Sequence, residues 1–68
     1  MSKSKLRQPD PRLGAILQWL TEREQEMIAS VRELVGEYRQ AIRRFATMKT
    51  LDVWYARARV SDLQKLTR

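Results

Sequence analysis

Glu22, Glu24 and Glu26 stand at alternate positions, and a pair of carboxylates held close together is what acid–base hydrolysis requires. Capping accounts for them more simply. Thr21-Glu22-Arg23-Glu24 matches a capping box, and acids at a helix start favour the positive end of the macrodipole. A second set of residues brings Arg39, Arg43, Arg44, Lys49, Arg57 and Arg59 together with Trp54 and Tyr55. Cations beside stackable rings suit single-stranded nucleic acid. The same types also serve as a solvated face and as core or interface anchors, since Trp and Tyr bury large areas and keep one polar handle.

Other chemistry is excluded by composition. The 68 residues contain no His and no Cys, so Ser-His-Asp and Cys-His arrangements, zinc sites of the usual ligand types and disulfides are all closed to it. With only Gly14 and Gly36 there is no glycine-rich cradle for a phosphate. The expectation is a non-enzyme with no catalytic, cofactor-binding or metal-binding residue, no cofactor and no small-molecule substrate of its own.

Net charge is +6, distributed as +3 over residues 1–12, −3 over 13–37 and +6 over 38–68. A basic C-terminal half permits association with nucleic acid or an anionic membrane surface, but Glu33 and Glu37 occupy the would-be polar face of a membrane-surface helix. The longest apolar run is four residues, far below the ~20 that cross a bilayer, so no membrane is expected. The basic Met1–Arg7 start is broken by Asp10, Pro11, Arg12 and Gly14 before it could act as a signal peptide, and the lack of cysteine agrees with a cytoplasmic location.

The elements that position these residues read as all-α. Residues 1–9 are polar, basic and aperiodic, a disordered lead-in to a single helical domain or fragment over 10–68. Asp10 as N-cap and Pro11 as first helical residue start a short helix over about 11–20, with Leu13, Ile16, Leu17 and Leu20 on one face. A break is expected at Thr21, because extending the next heptad backwards puts Glu24 on the apolar seam.

A long amphipathic helix follows, in which Met27, Val31, Leu34, Tyr38, Ala41, Phe45 and Met48 alternate steps of four and three and Ile28, Val35 and Ile42 flank them. Three apolar positions per heptad make a stripe wider than a two-stranded seam, which must be covered by something. Glu33 with Glu37, and Arg39 with Arg43, are like-charged pairs four apart, each costing ~0.2–0.5 kcal/mol in an isolated helix. Residues 49–57 fit either a helical turn or an extended piece, and Ser61 caps a short C-terminal helix over 62–67.

The stretch from Tyr38 to Arg57 resembles part of a large bacterial family, domain of unknown function 2252, in which a helix of the form Tyr-Arg…Phe-Ala-x-Met runs into Leu-Asp-Val-Trp-Tyr-Ala. Leu51 to Arg57 is the specific part, and agreement in pattern extends over about 21–66. The resemblance implies a piece of a several-fold longer protein with a kinase-like phosphotransferase fold related to the aminoglycoside phosphotransferases. The family's Gly-Asp-x-His-x-x-Asn and Asn-Asp-Phe-Asp strings have no counterpart here, so no catalytic residue carries over. Residues 1–20 depart from the family, and so does Arg59, where an acid or another polar residue is expected.

Three functions follow as expectations. The first is a helical fragment without catalysis that packs on a partner or larger body through Met27, Val31, Leu34, Tyr38, Phe45, Met48, Trp54 and Tyr55. Another is a small basic nucleic-acid-binding protein, with Arg39, Arg43, Arg44 and Arg57 as candidate anion contacts. The third is a self-associating helical bundle joined through the Met27–Met48 stripe.

Overall fold

The computed structural model describes residues 10–67, with the side chain of Ile28 excepted, and the expected disorder of residues 1–9 lies outside the described residues. Within them the chain is all-α: α1 over Pro11–Glu26, a 3-10 turn over Ile28–Ser30, α2 over Val31–Arg44 and α3 over Leu51–Leu66.

Asp10 starts α1 as its composition predicts. Its backbone is extended, its carboxylate accepts from the Arg12 amide at 2.7 Å, and Pro11 loses nothing by lacking an N–H in the first turn. The helix then runs straight through Thr21, correcting the expected break there. Instead of capping a new helix, the Thr21 hydroxyl donates back to the Leu17 carbonyl at 2.8 Å, a bond available only inside a continuous helix. The chain turns at Met27–Ser30, where no Gly, Pro or side-chain cap marks the site.

Arg23 spans this corner. Its guanidinium binds both Glu33, at 2.9 Å, and Glu37, donates to the Met27 sulfur at 3.0 Å, and lies 4.9 Å from the Trp19 ring centroid. The like-charged pair Glu33 and Glu37 is thereby bridged from α1 by one shared cation.

α3 begins eleven residues before the short helix expected from Ser61. Thr50 is its cap, accepting from the Val53 amide at 3.2 Å, and Asp52 sits in the first turn at the favourable end of the dipole. Ser61 is an exposed interior position of that helix. The long helix expected from about Thr21 through Met48 is correspondingly shorter, running from Val31 to Arg44.

Arg12 lies 5.7 Å from the Phe45 ring centroid, a Cβ on Gly14 would sit 3.6 Å from Asp52, and Glu24 meets Tyr38 and Arg59. α2 is therefore antiparallel to α1, and α3 returns beside α1 in its direction. The core is filled by Leu13, Leu17 and Leu20 from α1, Val31, Leu34, Val35, Tyr38 and Ala41 from α2 with Phe45 beyond it, and Val53, Ala56 and Leu63 from α3. Truncating one of these leucines to Ala costs about 2–5 kcal/mol, a large share of the ~5–15 kcal/mol that stabilises a typical domain. The stripe on α2 is thus covered within the chain.

Candidate functional site

The most strongly perturbed groups lie between the three helices. Glu24, on the seam of α1, is buried and accepts from Tyr38 Oη and from Arg59, whose Nε is 2.9 Å from each carboxylate oxygen. Tyr38 is fully buried in α2, while Arg59 reaches in from α3 and keeps about a third of its side chain in water. Thr21 Oγ1 lies 3.3 Å from Tyr55 Oη and 3.4 Å from Tyr38 Oη. With the Thr21 proton given to Leu17 and the Tyr38 proton given to Glu24, Tyr55 is left to donate to Thr21.

Desolvation alone would raise the Glu24 pKa, but the hydrogen bonds from Arg59 and Tyr38 outweigh it and hold the carboxyl below its ordinary value. Burial first, then the bond to Glu24, pushes Tyr38 well above the usual phenol range. Glu24 likewise holds the Arg59 guanidinium in its charged form. Every acceptor on the carboxylate is occupied, so the cluster is suited to clamping three helices together rather than to moving a proton. The expectation that capping explains Glu24 is corrected: it is a buried ion-pair acid.

The residues expected to pack on a partner divide in two. Val31, Leu34, Tyr38 and Phe45 are buried in the chain's own core, and Met27 and Met48 are half-buried against it. Trp54 stays outside at 64% exposed, together with Leu51 at 63% and Leu66 at 69%, while Tyr55, 44% exposed, lies at the edge of this face with its hydroxyl on Thr21 of α1. Leu51, Trp54, Tyr55 and Ala58 are all exposed and fall at i, i+3, i+4 and i+7, one face of α3 opposite the buried Val53, Ala56 and Leu63.

The candidate anion contacts do not form one cluster. Arg39 and Arg43 share a side of α2, joined by Arg32, which sequence reading missed although it stands one heptad before Arg39. Arg44 turns to the other side, lining a hollow between α1 and α2 with Ile16, Trp19 and Glu37. Arg57 is exposed on α3.

Glu24, Arg59 and Thr21 were also missed as a site. The signal was the acid on the heptad seam, which calls for a cationic partner as readily as for a helix boundary. No helix among the described residues is long and apolar enough to cross a membrane. No family model matches the chain, and neither a curated protein nor a solved structure matches it.

Proposed function

We propose that the chain is a helical module without catalysis of its own that packs against a larger protein body through the outer face of α3. The observation that carries this reading is the exposure of Leu51 and Trp54, each more than 60%, on the same face of a helix whose opposite face is already buried. A helix apolar on both sides is normally covered on both. The stretch that resembles domain of unknown function 2252 includes both sides of α3, the inward Val53 and Ala56 and the outward Leu51, Trp54 and Tyr55, which supports a setting in which each is packed. Large aromatic anchors beside aliphatic ones are the usual centre of a protein interface.

A separate body is favoured over a second copy because self-association would bring together chains of net charge +6. The test is co-expression with a member of the resembled family lacking the matching helical stretch. The reading expects a complex that Leu51→Lys and Trp54→Lys each abolish while helicity is kept. Absence of a complex, or phosphotransfer by the purified chain alone, would overturn it.

A further inference from the structure

We propose that the flank shared by α2 and α3 binds the phosphodiester backbone of nucleic acid through Arg32, Arg39, Arg43 and Arg57. This surface is distinct from the apolar outer face of α3 and does not depend on it. Arg32, Arg39 and Arg43 are exposed at i, i+7 and i+11, which places them on one side of α2 over about 16 Å of helix. Arg32 and Arg39 line a hollow of about 260 Å³ with Gln64 and Thr67 of α3 and the buried Val35 at its floor, and Arg39 and Arg43 line a second of about 250 Å³ with Gly36 and Gln40. Arg57 stands one heptad before Gln64, and so on the same flank of α3.

Among the described residues Arg12, Arg23 and Arg59 are paired with carboxylates, whereas Arg32, Arg39, Arg43 and Arg57 have none within ion-pair distance, and neither do Arg44, Lys49 and Lys65; what distinguishes the four is that they share one flank. Glu33 and Glu37, the acids of α2, are both engaged by Arg23. Arg39 and Arg43 repel each other one turn apart, and Arg43, in the last turn of α2, is held there by the negative end of the helix dipole.

Gly36 sits between them in a helical backbone, and a Cβ there would meet nothing within 4 Å. Neither conformation nor packing requires a glycine, which costs a helix about 1 kcal/mol relative to Ala. What it leaves is a position without a side chain in the hollow lined by Arg39 and Arg43, open to an anion.

The composition of the flank selects the ligand. Its exposed residues on α2 are Arg32, Gly36, Arg39, Gln40 and Arg43, with no apolar side chain among them. A protein interface carries an apolar core and a membrane surface takes up an apolar face, so both are disfavoured. Interfaces with nucleic acid are polar and strongly positive, and the guanidinium fork fits phosphate oxygens in pairs.

The test is fluorescence anisotropy of a labelled single-stranded oligodeoxynucleotide of mixed sequence with the full chain over a salt series. Four phosphate contacts predict that log K falls with log salt at a slope of about −2.8, dropping to about −1.4 for Arg39→Ala/Arg43→Ala and equally for Arg32→Ala/Arg57→Ala. Arg44→Ala, on the other side of α2, should keep the full slope. Circular dichroism of each variant confirms the fold. No binding at low salt, an unchanged slope in both double variants, or displacement by poly-glutamate as effective as by unlabelled strand would overturn the proposal.

Discussion

Arg59 of α3 closes on Glu24 of α1 from 35 positions away in sequence, its Nε 2.9 Å from both carboxylate oxygens. Tyr38 of α2 completes the shell of the same carboxylate, so one acid touches all three helices. Removing Arg59 would leave a buried charge with only a phenol as donor. Arg59→Ala is expected to destabilise the fold by about 2 kcal/mol, less than the ~3–5 kcal/mol of a fully buried pair because a third of Arg59 is already in water. Replacing both partners, Glu24→Met/Arg59→Met, should recover most of that loss, since no charge is then left unpaired. Urea denaturation midpoints of the two variants make the comparison, and equal losses in both would contradict it.

The pH dependence follows from the same carboxylate. The Glu24 pKa is depressed in the folded chain below its ordinary 4.5, so the unfolded state binds the proton first as pH falls. The stability it contributes is full above about pH 4.5 and is lost as pH drops through the lowered folded value. Glu24→Gln should flatten the acid limb of the stability curve, leaving the part that belongs to Asp10, whose carboxyl is lowered by its bonds to Arg12. An acid limb unchanged in Glu24→Gln would show that the pair contributes nothing.

Tyr38 behaves in the opposite sense. Its phenol is raised above the ordinary 10.0 by burial and by Glu24, so its contribution is present below that value and declines as pH climbs toward the folded one. In a Tyr55→Phe variant, Tyr38 is the one tyrosine left. Its phenolate absorbance should rise together with alkaline loss of helicity. Ionisation near pH 10 with helicity retained would place the hydroxyl in water.

Gly36→Ala should stabilise α2 by about 1 kcal/mol, because the backbone there is already helical and the space beside it is empty. Thermal melts followed by circular dichroism would register this as a raised midpoint. A lowered midpoint would mean that the glycine serves packing.

Sequence alone revealed the features that rest on local chemistry. Asp10 and Pro11 mark the start of α1 through a bond two residues long, and the step of three and four through Val31, Leu34, Tyr38 and Ala41 identifies the buried face of α2. The corner at Met27–Ser30 was not legible because Arg23 holds it through Glu33 and Glu37, ten and fourteen residues on, with no Gly, Pro or cap. Glu24 was correctly placed on the seam and then misread as a boundary, since the partner that makes a buried acid tolerable is supplied by α3. The Thr50 cap was obscured by Leu51, Trp54 and Tyr55, which make the outside of α3 as apolar as its inside and blur the helical period. Among the arginines, helical spacing alone separates Arg39 and Arg43 from Arg44, and recruits Arg32.

The three helices close their own core and leave the outer face of α3 free. Circular dichroism combined with sedimentation over a wide concentration series tests it most directly. A strongly helical monomer whose helicity does not change with concentration is the expected result. A weakly helical monomer, or helicity that rises only as the chain associates, would contradict it.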